Sequence, residues 1–183
     1  MHSFQQSIGR LSAFARDKRG VSAVEFALIL PLMLLLYFGA VELSQGIIVD
    51  RKVKMTARTV ADLVSQVATI NNSGIDAALG ASAAILAPYS TANAKVIVSV
   101  VSIDNKGNAK IVWSRANKDA GHGPGSSVTV PEALKTPNTS LVWGEATYDY
   151  APVLGYVTGP LQLREQIFMS PRLSKSVTCS NCT

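Results

Sequence analysis

Residues 26–41 read FALILPLMLLLYFGAV, sixteen consecutive residues without a charge. As a helix rising about 1.5 Å per residue they cover about 24 Å, a little short of a ~30 Å hydrocarbon core. Extending the segment to residues 21–44 supplies the length and takes in Glu25 and Glu42 near the two interfaces. Residues 32–38, LMLLLYF, are apolar on every face, which suits lipid and does not suit a half-solvated helix. A single membrane span over 21–44 is the expectation, with Glu42 read as an interfacial acid that snorkels to water. Pro31 falls inside it, which membrane helices tolerate when neighbours satisfy the freed carbonyl.

The rest of the composition is consistent with one span on an ordinary domain. The chain has 183 residues, 48% hydrophobic and only 16% charged, which excludes a disordered protein. Seventeen basic residues against twelve acids give a net charge of +5. Arg10, Arg16, Lys18 and Arg19, opposed by Asp17 alone, place +3 of that charge in residues 1–20. The basicity is therefore mainly a leader signal, and the remainder forms no dense patch of the kind nucleic acid requires. Arg51, Lys52, Lys54 and Arg58 on the far side nearly balance the leader, so charge alone does not orient the span. The short polar N-terminus and the placing of both cysteines at the far C-terminus favour a cytoplasmic leader and an exported body. A cleaved signal peptide fits poorly, because the apolar run is long and flows into further helix without a loop.

After Gly46 the pattern becomes one-sided. Val53, Ala57, Val60, Val64 and Val67 recur at steps of four and three, the period of an amphipathic helix. The spacing predicts one helix from about residue 21 to 70, its second half (45–70) lying on a head. Asn71-Asn72-Ser73-Gly74 should end it, with Ser73 capping a short alanine-rich helix through Leu86. From Ala94 the residues turn β-branched: 95–104 and 109–115 flank an Asn105–Asn108 turn, and further strands are expected at 140–150 and 161–169. Residues 117–127, NKDAGHGPGSS, read as a glycine-rich loop. The predicted fold class is α+β, a long N-terminal helix, a short second helix and a small antiparallel sheet with the amphipathic half-helix on one face.

At the junction of leader and apolar helix the chain reads RGVSAVEF, residues 19–26. Gly20 followed by Glu25 and Phe26, behind Lys18-Arg19 and ahead of a membrane helix, resembles the prepilin peptidase site of type IV pilins. In that family cleavage follows the glycine on the cytoplasmic face. Here it would free an amine on Val21, with which Glu25 of a neighbouring subunit could pair. Glu25 in its place at the edge of a span is costly unless it has such a role, or else it serves the positive end of its own helix. Together with ATYDYAP at 146–152 and FMSPRLSKSVTC at 168–179, the N-terminus resembles TadE-type pilus assembly proteins, minor pseudopilins of the tight-adherence (Flp pilus) system. That resemblance implies a pilin-like plan: a cytoplasmic leader (1–20), a membrane helix (21–44), its amphipathic continuation (45–70) and a periplasmic head (71–183). It implies processing at Gly20, Val21 and Glu25, and subunit assembly through Glu25 and Phe26. The implied partners are prepilin peptidase, other pilins or pseudopilins, and the inner-membrane platform. Related TadG-type proteins append a large von Willebrand-like domain, for which this chain is too short. Val21 departs from the aromatic or methionine common as first residue of major pilins.

Cys179 and Cys182, in TCSNCT, are the only cysteines. A lone C-x-x-C reads as a redox pair, half a zinc site or a local disulfide. A terminal tail lacks the helix start of a redox motif, and no second pair completes a zinc site. In an oxidising compartment a small bridge closing the tail is expected, with an intermolecular bridge as the alternative. His122 within GHGPGSS lacks the strand, helix and Gly-Lys-Ser/Thr ending of a phosphate loop, and is read as a solvent-exposed loop residue. Trp113 and Trp143 are read as sheet-packing residues. No residues suggest catalysis, a metal, a cofactor, a small-molecule substrate or nucleic acid. The expectation is a non-enzymatic pilus assembly component, against an uncleaved signal-anchored binding or adhesion module as the alternative.

Overall fold

The computed structural model describes residues 19–182 except 119, 153, 154 and 156–158. The expected leader, but for its last two residues, lies outside the described residues. Helix α1, Arg19–Ser65, runs 47 residues without interruption through Pro31, about 70 Å at the α-helical rise. Its first half is bare: Val24, Phe26, Leu28, Leu32, Leu35 and Tyr37 are all exposed. Its second half buries one stripe, Val49, Val53, Ala57, Val60, Ala61 and Val64. Burying each valine contributes about 1.5–2 kcal/mol, so packing rather than helix propensity anchors this half to the head.

The helix ends at Ser65, five residues before the sequence pattern suggests. A short turn, with Val67 N–H donating to Val64 O at 3.5 Å, leads into β1, Thr69–Ile70. Two β-branched residues there pair in parallel with β6, Thr178–Cys179, near the C-terminus. Helix α2 spans Asn72–Leu86 and is capped by Asn71, not Ser73: Gly74 N–H donates to Asn71 Oδ1 at 2.8 Å. At its other end Lys52 Nζ donates to Ile85 O and Ala87 O at 2.8 and 2.7 Å. An ammonium on the last carbonyls suits the negative end of the helix dipole and ties α2 to α1.

The remaining strands are β2 (Ala94–Ile103), β3 (Ala109–Ala116), β4 (Thr139–Tyr150) and β5 (Leu161–Met169). They form one antiparallel sheet in the order β3-β2-β4-β5. The chain is thus α+β, as the sequence predicts. Even-numbered residues of β2 and β4, among them Val96, Val98, Val100, Val142, Ala146 and Tyr148, join the α1 and α2 side chains in the main core. Gly144 of β4 lies directly beneath α1: a Cβ there would sit 2.6 Å from Ala57 O and 2.9 Å from Ala61 Cβ. This glycine sets how closely helix and sheet approach.

Opposite Val100 and Val101 the register of β3 skips Val112. That bulge puts Trp113 and Ile111, two residues apart, on opposite faces of the sheet. Trp113 enters the main core and donates Nε1–H to Val177 O at 2.9 Å, while Ile111 joins a second cluster with Val101, Ile103, Val130, Leu141 and Trp143. The second cluster exists because the chain after β3 lies across the outer face instead of standing free. Backbone bonds Gly125 N–H to Ile111 O (2.8 Å), Ile111 N–H to Ser126 O (3.0 Å) and Val128 N–H to Ala109 O (3.0 Å) seal it along the β3 edge.

Candidate functional site

The residues expected from the sequence to mark a processing site lie on the first two turns of α1. Gly20, Val21, Glu25 and Phe26 are all exposed, and among the described residues none pairs with Glu25. A Cβ added at Gly20 would meet nothing within 4 Å, so no contact among the described residues demands glycine there. Five residues of helix separate Gly20 and Glu25, about 7.5 Å along the axis, so the two mark one short segment at the helix start.

The head first touches α1 at Glu42, which is buried at 6% exposure and does not snorkel to water. Its Oε1 accepts Gly155 N–H at 2.6 Å from the β4–β5 connection. A cleft of about 200 Å³ opens beside it, lined by Glu42, Leu43, Gly46, Ile47, Asp50, Tyr150, Leu161 and Leu163. One turn on, Tyr89 Oη–H donates to Gln45 Oε1 at 2.7 Å. Lys54 pairs with Asp50 at 2.9 Å, and that hydrogen-bonded carboxylate raises the ammonium above its ordinary pKa.

On the outer face of the sheet the structure assembles a polar cluster that the sequence does not foretell. Glu145 of β4, its side chain 4% exposed, receives His122 Nε2 on one oxygen and Arg164 Nη2, at 3.0 Å, on the other. His122 stacks on Trp143 with centroids 4.7 Å apart, and Trp143 stacks on Phe168 at 5.5 Å. The histidine is therefore a clasp and not the freely exposed loop residue expected. Its backbone N–H donates to Ser114 Oγ (2.9 Å), which shares a hydrogen bond with Ser99 Oγ (2.8 Å). Gly121 permits the approach: a Cβ there would lie 2.6 Å from Ser114 Oγ. The signal available in the sequence was an acid at 145 in mid-strand, two residues from Trp143 on the same face, where burial requires a partner for the carboxylate. Chemically the cluster neutralises a buried carboxylate; among the described residues no hydroxyl or thiol is hydrogen-bonded to the His122 ring, and no group of His, Cys, Asp and Glu is placed to hold a metal ion.

The C-terminal segment closes the end of α1 far from the apolar half. Arg172 pairs with Asp62 and its backbone N–H donates to Ser65 O at 2.9 Å. Val177 is fully buried, and Cys179 and Cys182 are paired as a disulfide with Cα atoms 5.6 Å apart. Cys179 belongs to β6, so the pair sits at the point where the tail crosses β1.

A family model described as TadE-like protein matches residues 20–62. No curated protein and no solved structure matches the chain. The matched stretch is nearly the whole of α1: the bare apolar half, which fits a membrane anchor, and most of the buried valine stripe. Over residues 20–62, the helix that both displays the apolar segment and anchors the head, the chain is similar to TadE-like proteins.

Proposed function

We propose that this chain is a non-enzymatic minor pseudopilin of a tight-adherence pilus system, cleaved after Gly20 by prepilin peptidase. The observation that carries the reading is a single TadE-like helix whose first half offers lipid an uncharged surface over residues 26–41 while its second half is committed to a folded head. With the N-terminus cytoplasmic, α1 holds the subunit in the inner membrane and the head faces the periplasm, where Cys179 and Cys182 oxidise. On assembly, the apolar half-helices of neighbouring subunits associate laterally. Glu25 then fixes register by pairing with the amine that cleavage frees on a neighbour's Val21, which is favourable because an unpaired carboxylate at the edge of lipid is costly. Phe26 lies beside it on the same contact surface. Partners on this reading are prepilin peptidase, other pilins or pseudopilins, and the inner-membrane platform.

The reading is tested by Glu25→Ala in cells that make the pilus. Membrane insertion should be unchanged and pilus assembly impaired; normal pili from this variant refute the register mechanism. N-terminal sequencing of membrane-extracted protein should begin at Val21, and an intact leader refutes processing and favours a signal-anchored module instead.

A further inference from the structure

The acid that ends the uncharged run at residue 41 presents no charge to its surroundings on the outside of α1. Glu42 turns into the head and accepts Gly155 N–H. The next polar side chains are likewise engaged within the protein: Ser44 Oγ–H donates to Ala40 O at 2.7 Å and Gln45 Oε1 accepts from Tyr89 at 2.7 Å. Meanwhile the uncovered surface of the helix stays apolar through Leu43, Ile47 and Ile48, all more than 40% exposed. From Phe26 to Ile48 the helix measures about 34 Å, against about 24 Å to Val41, and only the longer span matches a ~30 Å hydrocarbon core. Polar groups held to internal partners over this stretch are what a low-dielectric surrounding demands. Just beyond come the exposed Arg51 and the Asp50–Lys54 pair, at the level suited to headgroups.

If the hydrocarbon boundary lies near Ile48, the part of the head packed beside residues 42–47 lies at or below it. That part is the cleft wall formed by Tyr150, Leu161 and Leu163, with Leu161 46% exposed. Exposed Leu161 and half-buried Leu163, with Tyr150 buried behind them and exposed Arg51 farther along α1, make an apolar rim topped by a cation. Resting on the reading that α1 spans the membrane, we infer that the lower rim of the head is a lipid-contacting seat. Leu43, Ile47 and Leu161 enter the boundary between acyl chains and headgroups, and Arg51 reaches the phosphates. The bilayer surface is the partner of this rim.

Nitroxide labels at single added cysteines (Leu34→Cys, Ile47→Cys, Leu161→Cys and Leu63→Cys), introduced with the native cysteine pair kept oxidised, test this in phosphatidylethanolamine/phosphatidylglycerol vesicles. The full chain is used, and collisions with oxygen are compared with those with a water-soluble nickel chelate. Positions 47 and 161 should meet the chelate several-fold less than position 63, which lies 16 residues, about 24 Å, farther along α1, while position 34 is deepest. Chelate access at 161 equal to that at 63, with 34 still deep, overturns the seat alone. Access of the chelate to 34 overturns the span and the seat with it.

Discussion

Replacing a glycine with alanine at two places in this chain should move stability in opposite directions. At Gly144 the new methyl would lie 2.6 Å from Ala57 O and 2.9 Å from Ala61 Cβ. The first of these atoms is helix backbone and cannot swing aside, so α1 must lift from β4 or the strand must bow. Forced overpacking of this kind costs about 1–3 kcal/mol. For a chain of this size that corresponds to roughly 3–10 °C in Tm. The lifted helix would also loosen Val53, Val60 and Val64, which carry the contact between anchor and head. Gly80 is the control: it sits exposed inside α2, and an added Cβ meets nothing within 4 Å. There alanine should stabilise by about 0.5–1 kcal/mol, because it removes backbone freedom from the unfolded chain. Thermal unfolding of the full chain in detergent micelles, followed by tryptophan fluorescence through Trp113 and Trp143, reads both. A Gly144→Ala variant as stable as the parent refutes the claim that this glycine sets the helix–sheet distance.

Two further outcomes follow from the outer face and the hairpin. His122→Ala should destabilise by about 1–2 kcal/mol, through loss of the stack on Trp143 and of one partner of buried Glu145; faster amide exchange should be confined to residues 121–128, and an unchanged exchange pattern there argues against the clasp. Asp104 in the β2–β3 turn accepts hydrogen bonds from Asn108 Nδ2 (2.9 Å), Asn108 N (2.8 Å) and Lys106 N (2.8 Å), which lower its pKa below the usual carboxylate value. A depressed folded-state pKa means the turn is supported above the unfolded value near ~3.9 and loses that support as pH falls through the folded value. A carboxyl NMR titration of Asp104 should therefore have its midpoint below that of a model aspartate, and a midpoint at or above it refutes the assignment.

Much of the architecture was legible because it rests on local periodicity. Four strands and both helices follow from alternation and from the three-four spacing of Val53, Ala57, Val60 and Val64. Boundaries shifted where a distant segment competes. Helix α1 stops at Ser65 because Thr69 and Ile70 pair with the C-terminal β6, more than a hundred residues away. The cap at Asn71 in place of Ser73 is a choice among three successive capable side chains, Asn71, Asn72 and Ser73, that composition does not rank. The proposed processing segment, Gly20 to Phe26, rests on its motif, since within the described residues its side chains are exposed and the fold makes no use of them.

What the sequence determined by itself is the division of α1 into an apolar half and a striped half, together with the α+β class, since both depend only on which residues recur at what spacing. Tertiary structure alone decided three things. Glu42 turns into the head, the bulge at Val112 sends Trp113 and Ile111 to opposite faces, and the 117–131 stretch folds back so that His122 covers Glu145. Each is a meeting of groups far apart in the chain. The cost of burying a carboxylate or displacing a strand register is set by whatever residue arrives opposite it, which no local pattern records.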